Sequence, residues 1–108
     1  MNADDLNILY EASIEWGKHY DRDLEEWSKE LFPKMSTEAR AEIAAYIGTV
    51  KEEIYDYIWK NYTFDEVNTN GNQVQAGVKE WIRSGYPWMN EENIANVTNK
   101  GMYWVWKG

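Results

Sequence analysis

Apolar side chains recur every three or four residues along most of this chain, and that spacing limits its fold more than any other feature. In the first segment the apolar or small residues at this spacing are Leu6, Leu9, Ser13, Trp16, Tyr20, Leu24, Trp27 and Leu31. Residues with this period lie on one face of an α-helix. The sequence therefore predicts a first helix over about 3–32, which Asn2 caps and Pro33 ends. Gly17 lowers helix stability, so we allow for a bend or break near Gly17–Asp21.

A second helix is predicted over about 37–61, after the N-cap candidate Ser36. Its main apolar stripe consists of Ala39, Ile43, Tyr46, Ile47, Val50, Ile54, Tyr57 and Ile58. A second stripe, of small and aromatic residues, consists of Ala41, Ala44, Ala45, Gly48, Tyr55 and Trp59. A helix that is apolar on two sides is expected to have neighbours on two sides, so we expect this helix at the centre of the fold.

Capping signals mark further helix starts in the second half of the chain. Thr63 and Glu66 have the spacing of a capping box. The polar segment around Asn70-Gly71 nevertheless predicts a loop after one short helical turn. The third main helix is therefore predicted over about 73–84.

The last predicted helix follows Asn90, an N-cap candidate, and runs over about 91–106. Its predicted inward face is Ile94, Val97, Gly101, Trp104 and Val105. Residues 102–107, with the sequence MYWVWK, also favour β structure, so a strand is an alternative there. Together these elements predict an all-α fold, a compact helical bundle with two long antiparallel helices and two shorter ones, in a single domain over 1–108.

The composition argues against several classes of function. The chain has no cysteine and one histidine, which excludes disulfide frameworks, thiolate chemistry and zinc-finger sites. Its net charge of −8 argues against direct nucleic-acid binding, because phosphate contacts require Lys and Arg. No apolar run approaches the length of a membrane span, and the N-terminus lacks signal-peptide features. We expect a cytoplasmic protein without membrane contact and without a cofactor.

The acidic and the aromatic residues are concentrated in different halves of the chain. Residues 1–60 contain 14 acidic and 7 basic side chains, whereas residues 61–108 contain 5 and 4. Five of the seven Trp and Tyr residues after Asn61 lie at or beyond Tyr86. An acidic surface favours solubility or a basic partner.

A line of three possible metal ligands occurs in the first predicted helix. Glu15, His19 and Asp23 are spaced four residues apart, so they lie on one side of that helix. Carboxylate and imidazole groups at this spacing can chelate a divalent metal ion. Metal sites in helical bundles draw ligands from several helices, however, and this line faces solvent. We interpret it as a charged face and predict no metal site.

Two acidic stretches are the most enzyme-like feature of the sequence. They are EEWSKE and EEIYD, with the carboxylates of Glu25, Glu26, Glu30, Glu52, Glu53 and Asp56. Their pairing resembles the acidic helices of all-α nucleotide pyrophosphohydrolases of the MazG type. The resemblance implies carboxylates on two helices that hold Mg²⁺ at a nucleotide triphosphate. It covers two short stretches, and Lys29 stands where the EExxE pattern of that family has its last Glu.

The same acidic residues have a purely structural interpretation. Arg22–Glu26 and Glu25–Lys29 are oppositely charged pairs four residues apart, a spacing typical of exposed helix surfaces. None of the four serines is suitably spaced from the single histidine for nucleophilic catalysis. We therefore predict no catalytic residue, and the pyrophosphohydrolase stays an alternative function.

The aromatic C-terminal stretch carries the most specific functional signal. One buried helix face leaves six of its residues unexplained, and we name them the predicted contact surface: Tyr86, Trp88, Met89, Met102, Tyr103 and Trp106. Trp, Tyr and Met are enriched at the centres of protein interfaces, so these residues are candidates for partner binding. The alternative is that segment 86–89 folds back over Tyr103 and Trp106 and closes a second small core.

These observations favour a small, non-enzymatic protein-binding module. Inhibitor and immunity-type proteins are the class analogy, since many are compact acidic helical domains that dock on a basic partner. Acidic residues of the first helix would steer the association, and Trp88, Tyr103 and Trp106 would anchor it. Self-association through the same aromatic residues, giving a homodimer, is a further alternative.

Overall fold

Five α-helices account for nearly all of the residues that the structure describes. It is a computed structural model, and it describes residues 1–14 and 22–107. The helices are α1 (Ala3–Ile14), α2 (Leu24–Leu31), α3 (Thr37–Asn61), α4 (Phe64–Gly85) and α5 (Glu91–Lys107). No strand occurs among the described residues, so 102–107 are helical and the all-α prediction is confirmed.

Side-chain caps begin four of these helices at residues that the sequence marks as caps. They are Asn2, Ser36, Thr63 and Asn90. Asn2 and Asn90 each accept a backbone N–H three residues later at 2.8 Å. Thr63 and Glu66 form a complete capping box, in which each side chain accepts the backbone N–H of the other residue. Each cap satisfies an N–H that has no acceptor within its helix, and this fixes where the helix starts.

The predicted first helix over 3–32 is wrong in one respect, because two helices occupy that range. α1 ends at Ile14 and α2 begins at Leu24. Asp23, directly before α2, has φ −58° and ψ 136°, which is an extended rather than a helical conformation. The bend or break allowed for near Gly17–Asp21 lies outside the described residues. The described chain therefore forms five helices, where the sequence predicts four main ones.

The helix predicted over 73–84 begins earlier than expected. The segment around Asn70-Gly71, predicted as a loop, is part of α4. Asn70 has non-helical angles (φ −127°, ψ 39°), so the segment forms a kink in the helix. Val67 is half-buried and Val74 is buried seven residues later, so one apolar face continues across the kink. Burial of that face outweighs the poor helix propensity of Asn and Gly.

The chain divides into two compact units, Met1–Lys51 and Glu52–Gly108, and α3 runs through both. The prediction of one domain over 1–108 stays a prediction. In the first unit α1 packs against α2. The buried apolar side chains of this unit are Leu6, Leu9, Tyr10, Ile14, Phe32, Ile43, Ala44, Ile47 and Val50. The Lys51 ammonium group donates a hydrogen bond to the Ser13 carbonyl at 3.0 Å, and this places a positive charge at the C-terminal end of α1.

The second unit contains the C-terminal part of α3 together with α4 and α5. Its buried apolar side chains are Ile54, Ile58, Val74, Val78, Ile82, Tyr86, Met89, Ile94, Val97, Met102 and Val105. α4 packs against α5, and a bidentate ion pair between Arg83 and Glu91, at 2.9 Å for both contacts, closes the turn between them. Gly101 of α5 lies directly against the Ile58 side chain of α3. The unit is therefore held by apolar packing in its interior, and the exposed charged pair adds little to its stability.

The second stripe of α3 is covered only in part, although the sequence predicts neighbours along its whole length. Ala44 is buried, and Gly48 lies in ordinary contact distance of the Leu24 side chain. The exposed members of the stripe are Ala41, Ala45, Tyr55 and Trp59. Two large aromatic side chains of α3 therefore reach the surface of the second unit.

Gly101→Ala is expected to destabilise the protein, because the new methyl group would overlap the Cδ1 atom of Ile58. Ile58 is fully buried, so its side chain can move only if its neighbours repack. Overpacking of this kind costs about 1–3 kcal/mol, while the gain in helix propensity is about 1 kcal/mol. We expect chemical denaturation to show a net loss of about 1 kcal/mol in the free energy of unfolding.

Gly71→Ala is the matched control, because a Cβ atom at Gly71 would meet nothing within 4 Å. This substitution also replaces a helical glycine but creates no overlap. The free energy of unfolding should stay unchanged or rise by about 0.5–1 kcal/mol. If both substitutions have the same effect, Ile58 does not restrict the side chain at position 101.

Candidate protein-binding surface

Three aromatic side chains of the second unit form a cluster at its surface, on α3 and α5. They are Tyr55, Trp59 and Trp104, and we name them the aromatic trio. The centroid of the Tyr55 ring lies 5.9 Å from that of Trp59 and 5.1 Å from that of Trp104, and both ring pairs are tilted by 59°. Tyr55 is 43% exposed and Trp59 38% exposed, whereas Trp104 is half-buried. Tilted ring contacts are favourable, so the trio is held in a defined arrangement at the surface.

A second exposed group lies on the last turns of α5. Tyr103 is 41% exposed and Trp106 is 58% exposed, with their ring centroids 6.5 Å apart. The Lys107 ammonium group lies 5.7 Å from the centroid of the Tyr103 ring. Trp104 of the trio directly follows Tyr103 in α5, so α5 carries members of both groups, about 100° apart around the helix. We name these five aromatic residues together the exposed aromatic surface.

The structure separates the six residues of the predicted contact surface. Its buried members are Tyr86, Met89 and Met102. Trp88 is half-buried, and Tyr103 and Trp106 are exposed. The three buried side chains contribute to the interior of the second unit, so only the other three are accessible to a partner. The role of these accessible residues in partner binding stays a prediction.

Tyr86 is the one buried member of a row of ring contacts in the second unit, whose other rings are half-buried. The row consists of Tyr62, Tyr57, Trp81, Tyr86 and Trp88. Tyr57 stacks on Trp81 with ring centroids 4.0 Å apart, and the Tyr86 hydroxyl donates a hydrogen bond to Glu53 at 2.7 Å. The turn between α4 and α5 therefore packs into this row. Since Tyr103 and Trp106 are exposed, the closed second core over them does not form.

Carboxylates alternate with the exposed rings along one face of α3. Glu52, Tyr55, Asp56 and Trp59 are separated by three, one and three residues, so they are neighbours on a single helical face. All four side chains are exposed. Within the described part of the chain, neither carboxylate takes part in an ion pair. This face of α3 therefore offers two negative charges next to two aromatic rings.

Several of the carboxylates in the enzyme-like stretches are engaged in contacts within the protein. Arg22 pairs with Glu26 at 3.6 Å and also with Glu30. Its guanidinium carbon lies 4.5 Å from the centroid of the Trp27 ring. Glu53 accepts the tyrosine hydrogen bond of the aromatic row. The pairing of Arg22 with Glu26 confirms the structural interpretation for that pair.

The predicted absence of a metal site is not tested at its main candidates. Glu15 and His19 lie outside the described residues, and Asp23 is exposed beside the start of α2. Across residues 1–14 and 22–107, no group of three acidic or histidine side chains has an arrangement that would hold a metal ion.

Sequence reasoning missed the aromatic trio as surface residues. The spacing of apolar residues predicts Tyr55 and Trp59 on a covered stripe of the second helix, and Trp104 on the inward face of the last helix. The local sequence does contain a signal, because Glu52 and Asp56 each stand three residues before one of these rings. Carboxylates are rarely buried without a partner, so a ring between two of them is expected near solvent.

Comparisons with known proteins give no family for this chain, since no protein-family model, curated protein or solved structure matches it. Among the helices that the structure describes, none is both long and apolar enough to cross a membrane. Function therefore has to be inferred from the geometry and charge of the chain itself.

Burial raises the pKa of Tyr62 to about 12, and the contact of its hydroxyl with that of Tyr57, at 3.5 Å, acts in the same direction. The ordinary pKa of the group is 10.0. Because the folded protein favours the neutral phenol, this contribution to stability is complete below pH 10 and is lost as the pH rises towards 12. Tyr62→Phe should remove that part of the alkaline loss, measured as the free energy of unfolding against pH. An alkaline profile identical to that of the wild type would contradict the assignment.

Proposed function

We propose that this protein is a non-enzymatic binding module that docks on a basic protein through the exposed aromatic surface. The observation that carries this proposal is the accessibility of Tyr55, Trp59, Tyr103 and Trp106, on two helices of one unit. A group of large apolar side chains that the fold leaves at the surface usually marks an interaction site. Trp and Tyr are also the residues that most often dominate binding energy at protein interfaces.

The charge of the chain supports a basic partner. The net charge is −8, and acidic side chains outnumber basic ones in both units, by 11 to 6 in Met1–Lys51 and by 8 to 5 in Glu52–Gly108. Opposite charge on a partner would speed encounter at low ionic strength and orient the two surfaces. Inhibitor and immunity-type proteins combine these two features, an acidic field and an aromatic anchor, and this is the class that we propose.

The arrangement of the rings supports binding without a large ordering cost. Tyr55 is in contact with both Trp59 and Trp104, and Tyr103 with Trp106. Side chains that are already held by neighbours lose less conformational freedom when a partner binds. The exposed aromatic surface is therefore suited to act as an anchor.

Trp106→Ala should leave the protein folded but weaken partner binding strongly. Trp106 is 58% exposed, so we expect its removal to change the free energy of unfolding by less than about 1 kcal/mol. An aromatic anchor contributes about 2 kcal/mol or more to binding, which corresponds to a loss of affinity of at least about 30-fold. Partners captured from cells of the source organism would be identified by mass spectrometry, and the purified complex measured by calorimetry.

Phe64→Ala is the matched control, because Phe64 is also an exposed ring but lies on the first turn of α4. It should bind the same partner with wild-type affinity. Sedimentation of the purified chain alone tests the homodimer. If the homodimer forms, the wild-type chain should sediment with the mass of two copies and Trp106→Ala with the mass of one. The proposal is wrong if Trp106→Ala unfolds the protein, or if the captured partner is not basic.

A further inference from the structure

One face of α3 pairs each carboxylate with an aromatic ring at the same spacing. Asp56 stands three residues before Trp59, and Glu52 stands three residues before Tyr55. Residues three apart lie next to each other on a helix, with about 5–6 Å between their Cβ atoms. Trp104 of α5 adds a third ring against Tyr55. The face therefore combines negative charge and ring faces within the reach of one long side chain.

In the first unit an aromatic ring and carboxylates also lie close together, and there a guanidinium group of the chain itself contacts them. On α2, Glu30 stands three residues after Trp27, and both are in contact with Arg22. The guanidinium carbon of Arg22 lies 4.5 Å from the Trp27 centroid, while the same group pairs with Glu26 and Glu30. A guanidinium can stack on a ring and bind carboxylates at its edge at the same time, because it is planar and carries five N–H donors. The α2 surface shows this arrangement satisfied by the chain's own arginine.

The corresponding face of α3 has the ring and the carboxylates but no guanidinium from the described chain. Lys60 stands four residues after Asp56, and the described residues include no ion pair between the two. Lys51, which directly precedes Glu52, donates a hydrogen bond to the Ser13 carbonyl. Lys107 lies over the ring of Tyr103 rather than over the trio. Within the described part of the chain, the exposed rings of Tyr55 and Trp59 and the carboxylates of Glu52 and Asp56 are therefore accessible to a cation from outside.

We propose that the aromatic trio, with Glu52 and Asp56, binds an arginine side chain of the partner. The guanidinium would stack on the rings of Trp59 and Tyr55 and accept no hydrogen bond itself, while its N–H groups donate to the Asp56 carboxylate. This inference rests on the proposed function, because it names the partner group that the same surface recognises. It places arginine recognition on α3, whereas Tyr103 and Trp106 supply apolar contact from α5.

Arginine fits this face better than lysine for two reasons. A guanidinium is planar and weakly hydrated, so it can stack on a ring while its edge donates to a carboxylate. An ammonium group is compact and strongly hydrated, so it satisfies the carboxylate but loses more hydration against the rings. The site should therefore bind an arginine-containing peptide more tightly than a lysine-containing peptide of equal charge.

The test uses two short peptides of equal length, one alternating arginine and glycine and the other alternating lysine and glycine. Each is titrated into the ¹⁵N-labelled full chain, and the indole N–H signals of Trp59 and Trp104 are followed by NMR. We expect the arginine peptide to shift both signals and to bind about threefold to tenfold more tightly than the lysine peptide. Added salt should weaken both peptides.

Variants locate the preference on α3. Trp59→Ala should abolish the difference between the two peptides, and Trp59→Phe should restore part of it. Asp56→Asn should weaken the arginine peptide about threefold, whereas Glu80→Gln should not, because no aromatic side chain stands three or four residues from Glu80. Trp106→Ala should keep the arginine preference, since Trp106 lies outside the trio. If Trp59→Ala fails to fold, Trp59→Phe and Asp56→Asn still decide the outcome.

Three results would overturn arginine recognition: equal affinity for both peptides, no shift of the Trp59 signal, or an arginine preference that survives both Trp59→Ala and Asp56→Asn. These results are distinct from failure of the proposed function. A basic partner whose binding requires Trp106, combined with equal affinity for the two peptides, would keep the binding module and reject the arginine site. If the chain prefers the arginine peptide but no basic partner is found, the arginine site is kept and the proposed binding module is rejected.

Discussion

The apolar stripe of α3 is the constraint on which both units depend. α3 is a single helix of 25 residues, and Ile47 and Val50 in the first unit and Ile54 and Ile58 in the second are fully buried. Because these positions recur every three or four residues, one helix supplies a buried face to each unit. The other helices of each unit have to pack against this buried face of α3. Gly101 of α5 is an example, because it has no side chain at the point where the Ile58 side chain of α3 lies.

The display of aromatic residues follows from that packing. Once one side of α3 is buried, the side that carries Tyr55 and Trp59 faces outward, and α5 brings Trp104 against Tyr55. α5 begins at the Asn90 cap, and an ion pair between Arg83 and Glu91 joins it to α4. The hydrogen bonds from the guanidinium lower the pKa of the Glu91 carboxyl. The position of the exposed rings therefore follows from the buried face of α3, the capped turn before α5 and the contact between Tyr55 and Trp104.

The two functional alternatives use the acidic residues of α3 in different ways. In a pyrophosphohydrolase, Glu53 and Asp56 would be metal ligands. In the structure Glu53 accepts a hydrogen bond from Tyr86, and Asp56 stands beside the exposed ring of Trp59. A carboxylate beside an aromatic ring is suited to bind a cationic side chain, because the ring attracts the cation by a cation–π interaction and the carboxylate pairs with the same positive charge. We therefore propose the binding module rather than the pyrophosphohydrolase.

Local interactions determined much of this protein from its sequence alone. The caps at Asn2, Ser36, Thr63 and Asn90 and the periodic apolar residues of α3 predict most helix starts and the buried stripe, because both depend on neighbours within a few residues. Only the tertiary structure decided the rest. It carried α4 through Asn70, since burial of one face outweighs local propensity, and it buried Met102 while leaving Trp106 exposed. The local sequence does not distinguish between two apolar side chains that could both be buried. Which of them is buried depends on helices that are distant in sequence.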